Sequence, residues 1–390
     1  MKHIPHIIKN SLRVMKNSTL LALYYPHTSF RLKTKTYDDG YHLKLAIEWI
    51  KTAQKATGGK GVSAYYKLLE QTWGAPYRET TGYIIPTLLR YAAITGDMDS
   101  KAKAIEMGDW EIENQTREGA IAEQEDGTGI KIFNTGQVLL GWCTLYDTTR
   151  DKKYLDAAVR SSDWLVSNQD VDGSWKNFSN NGGNGIDTRV SWALLEVHKR
   201  TNNNHYKESA QKQITWTLKQ QNEEGWFSNS SLKDPNRPWT HAIAYTIMGI
   251  LECAFILNDK KMMERAIQPA EKLLEYYNSK GKAFFPGTFD KKWESSDSYS
   301  CLTGDAQIAS IWLRLHTITG SKRFIESALK IIESLKRIHI VSKNPNLHGG
   351  IPGSYPVAGG YATYSLPNWA VKFFADAIML KNNEGLDLLA

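Results

Sequence analysis

Apolar residues along this chain fall into two alternating patterns, both with the period of a helix. In the first, a small polar residue opens a segment that is small or apolar on nearly every side. These segments read ETTGYIIPTLLRYA (79–92), NTGQVLLGWCTLY (134–146), DTRVSWALLEVH (187–198), THAIAYTIMGILECA (240–254), LTGDAQIASIWLRLH (302–316) and PNWAVKFFADAIML (367–380). Counted through Thr80, Asn134, Asp187, Thr240, Thr303 and Asn368, they recur at steps of 54, 53, 53, 63 and 65 residues. In the second pattern, segments near 40–56, 99–115, 151–169, 204–221, 259–278 and 321–338 carry one apolar and one charged face. Tyr154, Ala157, Ala158, Ser161 and Leu165 line one such face, and Phe324, Ala328, Ile331, Ile332 and Leu335 another. A helix apolar all round is buried, whereas a one-sided helix sits outside. The alternation therefore predicts six inner helices wrapped by six outer ones, an all-α (α/α)6 toroid. Alternation at the strand period is almost absent, and turn signals such as Asp172-Gly173, Gly182-Gly183 and Gly349-Gly350 fall between the helices.

The 390 residues, 41% of them hydrophobic, are enough for one large toroidal domain. The net charge of +7 would invite a nucleic-acid or acidic-glycan reading, but its location argues otherwise. Residues 1–36 hold Lys2, Lys9, Arg13, Lys16, Arg31, Lys33 and Lys35 and no acid, so the body is neutral overall. The expected organisation is a basic N-terminal arm over 1–36 and a catalytic toroid over 37–390, with no nucleic-acid partner. Within the arm, Ile4, Ile8, Leu12, Met15 and Thr19 recur at helical spacing. That predicts a basic amphipathic helix over 4–22, either packed on the main domain or resting on an anionic membrane or biosynthetic complex. No uninterrupted apolar stretch reaches the length of a spanning helix. Cys143, Cys253 and Cys301 are too scattered for a disulfide framework or a metal knuckle and read as small buried hydrophobes of a cytoplasmic, possibly membrane-associated protein. No P-loop, G-x-G-x-x-G or HExxH is present, and no metal or cofactor is expected.

In such a toroid all six inner helices begin at one rim, where unpaired N–H groups and variable loops converge on a cavity. The pattern over about 40–390 resembles the six-hairpin glycosidase-type toroids, which include unsaturated-uronyl hydrolases, other glycoside hydrolases, sugar 2-epimerases and polysaccharide lyases. RETTGYIIPTLL, FNTGQVLLGW and GGIPGSYPVAGGY also resemble proteins encoded among bacterial polysaccharide-biosynthesis genes. The resemblance implies an oligo- or polysaccharide substrate. NQDVDGSW (168–175) and QQNEEGW (220–226) are similar to the Gln-x-Gly-x-Trp turns of triterpene cyclases, where such turns are structural clamps. The acidic element that initiates terpene chemistry is missing here.

Two constellations at the predicted rim carry chemistry. Glu79, Asp187 and Asp305 open inner helices, and glycoside hydrolysis needs two carboxyl groups flanking the bond. Acidic residues are also common helix caps, but Glu79 precedes a Thr-Thr pair that can cap without it, and it follows Trp73 and Tyr77, rings of the kind that stack on sugars. The second constellation is Asn134, Arg189, His241, Tyr245, Tyr355, Tyr361 and Tyr364, the residue types with which a lyase or C5-epimerase neutralises a uronate and removes its C5 proton. Gln137, Gln307, Trp239 and Asn368 join the expected substrate contacts. Of Trp73, Trp175, Trp226, Trp239, Trp293 and Trp369, near rim loops, two or three are expected to meet a ligand. Hydrolysis of a glycosidic bond is the preferred reaction, with a lyase or epimerase as the alternative and a non-catalytic glycan-binding protein as the second.

Overall fold

The computed structural model describes residues 32–123, 127–179 and 182–382. The predicted helix over 4–22, and the membrane contact that would rest on it, lie outside the described residues. Twelve α-helices are described: α1 Asp39–Lys55, α2 Arg78–Thr95, α3 Met98–Glu113, α4 Ile132–Thr149, α5 Lys152–Ser167, α6 Thr188–Thr201, α7 Asn204–Lys219, α8 Thr240–Leu257, α9 Lys260–Lys280, α10 Leu302–Thr319, α11 Lys322–Ile338 and α12 Asn368–Lys381. The even-numbered helices form the inner ring. Each packs on the next, α2 on α4, α4 on α6, α6 on α8, α8 on α10 and α10 on α12, and α12 packs on α2 to close it. The odd-numbered helices wrap the outside, each against its hairpin partner.

The hairpins share one local code. Gly96, Arg150, Asn202, Asn258 and Gly320 end inner helices in the left-handed region, and Asp97, Asp151, Asn203, Asp259 or Ser321 follows at once to begin the outer helix. The acceptor side chains of Asp97, Asp151, Asn203 and Asp259 take first-turn N–H groups. These links are two residues long, so every long connection lies at the opposite rim. There, short strands stitch the loops together: β1 Tyr65–Lys67 lies between β2 Thr72–Trp73 and β5 Ser365–Pro367, and β3 Ser300–Cys301 pairs with β4 Ser354–Tyr355, all antiparallel.

Helix α8 is long and apolar enough by composition to cross a membrane, yet it lies largely buried within the ring, as an all-round apolar helix should. Trp142, Trp192 and Trp312 are fully buried on inner helices. Truncating any of them to Ala is expected to cost ~3–5 kcal/mol. The inner helices approach closely through glycine: a Cβ on Gly141 would stand 2.4 Å from the Gly82 carbonyl oxygen, and one on Gly304 2.8 Å from the His241 backbone nitrogen. The second approach brings α10 against the start of α8.

The turns compared with Gln-x-Gly-x-Trp motifs are clamps between outer helices. Gln169 Nε2 donates to the Gly173 carbonyl and, across to α7, to the Ser209 carbonyl, both at 2.9 Å. Gln221 Nε2 donates likewise to Gly225 at 3.4 Å and to Arg265 of α9 at 2.9 Å. A third copy, not anticipated from the sequence, joins Gln115 to Gly119 at 3.4 Å and to Ala157 of α5 at 2.9 Å. Trp175, Trp226 and Trp293 are buried at this level and serve packing.

Candidate active site

At the rim lies a cavity of about 410 Å3. Six rings line it, from Tyr65, Tyr77, Phe133, Trp239, Tyr361 and Trp369, together with Glu79, Lys131, Asn134 and His241. The second residue of four inner helices supplies a wall: Glu79 in α2, Phe133 in α4, His241 in α8 and Trp369 in α12.

Glu79 is positioned from just ahead of its helix. Tyr77, the N-cap of α2, has extended backbone and makes no side-chain cap. Its hydroxyl instead donates to Glu79 Oε2 at 2.8 Å. Thr80 and Thr81 turn their hydroxyls back to the Tyr77 carbonyl at 3.2 and 2.8 Å, which fixes that turn. Arg78 reaches the other way, to the Ala122 carbonyl and Asn114 Oδ1, both at 2.7 Å. Burial pushes the Glu79 carboxyl up to about 7, and the Tyr77 hydrogen bond and the Lys131 charge oppose that shift. The acid is therefore poised to give and take a proton near neutrality.

Beside it, Lys131 Nζ pairs with Glu123 Oε1 at 2.6 Å, and the Asn134 amide approaches the same oxygen at 3.5 Å. Asn134 Oδ1 is buried without a partner. On the far wall, His241 Nδ1 meets Gln307 Oε1 at 2.8 Å. Burial lowers the His241 pKa to about 4, so the ring is neutral at physiological pH. With the Gln307 oxygen facing Nδ1, the ring proton sits there and Nε2 is an acceptor. The Trp369 indole donates to the Tyr361 hydroxyl at 2.8 Å, and Ser354 Oγ holds the Tyr361 backbone, fixing the loop over the cavity.

Residues 123–300 match the family model of Glycosyl Hydrolase Family 88. Among solved structures, the unsaturated glucuronyl hydrolase of Bacillus sp. GL1 superposes with a TM-score of 0.72 at 14% identity, over 88% of this chain and 96% of that one. An unsaturated glucuronyl hydrolase specific for heparin gives 0.71 at 16% identity, over 88% and 97%. An aspartate-to-asparagine variant of the Streptococcus agalactiae enzyme, complexed with dGlcA-GalNAc6S, gives 0.67 at 10% identity, over 90% and 97%. A search of curated proteins finds no match. The chain has the six-hairpin glycosidase-type (α/α)6 toroid fold. Over 123–300 the central hairpins are thus similar in sequence to that glycoside-hydrolase family.

The toroid brings together only part of the residue set expected at its rim. Tyr77, Glu79, Asn134, Trp239, His241 and Tyr361 line the cavity. Trp239 and Trp369 are the two tryptophans that do so. Asp187 and Asp305 do not. Asp187 is buried ahead of α6, its Oδ2 accepting from the Ser179 hydroxyl at 2.9 Å, and burial raises its pKa to about 7. Asp305 is fully buried, accepts the Phe285 N–H at 2.8 Å and is pushed well above the usual carboxylate range. Its position is that of a structural acceptor for the 281–301 loop.

Tyr245 lies one turn deeper than His241, with ring centroids 4.2 Å apart, and its hydroxyl meets that of Tyr83 at 3.3 Å. Arg189 is equally buried. Its Nε donates to Gln137 Oε1 at 2.7 Å, and its guanidinium carbon lies 5.0 Å from the Tyr245 ring and 5.2 Å from that of Trp192. Gln137 and Arg189 thus lie beneath the site, while Gln307 acts on it through His241. Asn368 ties the rim together, donating to the Ser63 carbonyl at 2.9 Å and to Thr80 Oγ1 at 2.8 Å. Trp73 packs on Trp49 and Tyr66. Tyr364 uses its carbonyl to accept from the Leu68 N–H at 2.9 Å, and Tyr355 faces a different cavity. Tyr65, Phe133, Lys131 and Glu123 were missed. A lone Lys or Glu in an irregular stretch carries no periodic signal, although Phe133 immediately precedes the predicted Asn134 start. No group of three or more metal-ligating side chains occurs among the described residues.

Proposed function

We propose that the protein hydrolyses the glycosidic bond next to the terminal sugar of an oligosaccharide, with Glu79 as proton donor and an unsaturated uronate as the terminal unit. One observation carries the reading: among the described residues Glu79 is the carboxyl on the cavity wall, and it is held near 7 among rings that suit the faces of a sugar. Its proton passes to the departing oxygen as the C–O bond breaks, water supplies the hydroxyl to the sugar carbon, and the water's other proton restores the Glu79 carboxyl. Lys131, a cation on the described wall that pairs with Glu123, is the group assigned to a uronate carboxylate. Asp187 is buried off the cavity wall, so Glu79 is the carboxyl on which the proposal rests. The unsaturated terminal sugar is taken from the names of the structural relatives.

A lyase or epimerase reading is less well supported: His241 and Tyr361 are on the cavity, but Tyr245, Tyr355 and Tyr364 are not. The test is incubation with unsaturated uronyl disaccharides, following new reducing ends together with loss of the ultraviolet absorbance of the unsaturated sugar. Both signals together support the reading; a gain of absorbance from intact polysaccharide would instead mean β-elimination.

A further inference from the structure

The rim holds a second cavity of about 380 Å3, and none of its wall residues belongs to the first. Tyr276, Phe284, Phe285, Tyr299 and Tyr355 supply its aromatic rings, and Lys282 and Asp297 its charged groups. The rings come from three stretches of chain, the end of α9, the 281–301 loop and β4, and their positions are set by packing. Tyr276 stacks on Phe285, with centroids 6.4 Å apart, and meets Phe289 edge-on at 4.9 Å. Tyr355 stands against Phe284 at 5.6 Å. Tyr299 is held most tightly: a Cβ on Gly287, Gly359 or Gly360 would come within 2.1, 2.5 or 2.9 Å of its side chain. Only backbone without side chains lets that ring lie where it does.

Asp297 is fixed as well. Its Oδ2 accepts the Thr288 N–H at 2.7 Å and the Thr288 hydroxyl at 2.6 Å, and Arg237 stands 3.8 Å from Oδ1. The cavity thus offers pre-placed rings beside a pre-placed carboxylate and an ammonium, in a volume within the ~300–1000 Å3 range of small-ligand sites. A pyranose matches that chemistry, since its C–H face stacks on aromatic rings while its hydroxyls bond to fixed polar groups.

The two cavities are neighbours. Trp239, which lines the first, pairs through an antiparallel backbone bridge with Thr288, whose N–H and hydroxyl hold Asp297 of the second. Tyr355 and Tyr361, in one continuous loop, line the second and the first respectively.

We propose that the second cavity is a carbohydrate subsite, which holds a sugar unit of the same oligosaccharide chain remote from the unit processed in the first cavity. This rests on the first cavity being a glycan site, but not on its catalysing hydrolysis. The experiment measures calorimetric affinities of Glu79→Gln protein, which separates binding from turnover. The probes are unsaturated di-, tetra- and hexasaccharides released by lyases from gellan, hyaluronan and heparin. For at least one series, a longer chain is expected to bind about tenfold more tightly than its disaccharide. Tyr276→Ala and, separately, the surface change Lys282→Ala should each remove much of that gain and leave disaccharide affinity unchanged; melting curves report whether each variant folds. Affinity that does not grow with length, a gain that survives both substitutions, or no binding by any chain would overturn the proposal. A gain that the substitutions remove, in a wild-type protein that hydrolyses none of the probes, would sustain the subsite and overturn the hydrolase reading alone.

Discussion

The Tyr77 hydroxyl donates to Glu79 Oε2 at 2.8 Å, and this bond stabilises the charged form of a carboxyl that burial otherwise holds protonated. A general acid works only while protonated, so activity should fall as pH rises through about 7. Tyr77→Phe removes a contact that lowers the Glu79 pKa. The alkaline limb of the kcat/KM profile should therefore move to higher pH. An unmoved or acid-shifted limb would separate Tyr77 from the acid's titration.

Asp305 offers the complementary test. Its pKa is raised by burial, so the folded state binds its proton more tightly than the unfolded chain does, and stability is lost as pH rises above the unfolded value. Asp305→Asn keeps an acceptor for the Phe285 N–H and removes the titration. This variant should melt at or above the wild-type temperature at pH 8 and retain activity within about twofold. A loss of a hundredfold or more, with the fold intact, would return Asp305 to the catalytic set.

A buried histidine pair sets a lower pH limit. His42 Nε2 accepts the Tyr37 N–H at 3.3 Å, His42 and His339 meet through their Nδ1 atoms at 2.8 Å, and His339 Nε2 lies 3.0 Å from the Gly349 carbonyl. This chain works only with both rings neutral. Burial, with Lys336 and Lys33 nearby, lowers the His42 pKa to about 4, and burial puts that of His339 well below its ordinary value. The unfolded chain then binds more protons between pH 6.5 and 4, so stability should fall as pH drops through that window. Melting temperatures across pH 4–8 check this, and the fall should be shallower in His42→Gln.

The outer-helix clamps make a prediction about stability alone. Gln169→Ala removes two hydrogen bonds and strands the Ser209 and Gly173 carbonyls, at a cost of ~1–3 kcal/mol. Denaturant midpoints should drop while kcat/KM stays put.

The ring was legible because its signal is repeated: six largely apolar helices alternate with six one-sided ones, and a small polar residue falls within two positions of every inner start. The clamps at 169 and 221 were legible for the same reason. The wall of the cavity was only partly legible, because which first-turn residue faces inward depends on where each helix begins. Glu79, Phe133, His241 and Trp369 are second residues of their helices and line the cavity; Asp305 is the fourth of α10, turned roughly 200° from a second residue. A start misplaced by two residues exchanges wall for core. Arg189 shows another limit: it is the second residue of α6, but a 3-10 turn over Gly185–Asp187 precedes that helix, and the side chain ends beneath the floor. Lys131 and Glu123 meet through loop geometry that periodicity does not encode.

The central claim is that Glu79 supplies the proton for hydrolysis. The most direct measurement compares wild type and Glu79→Gln on unsaturated uronyl oligosaccharides, reading released reducing ends beside calorimetric affinity. The account predicts a loss of about 10²–10⁴-fold in kcat with affinity largely kept. A Glu79→Gln protein that turns over like wild type would contradict it.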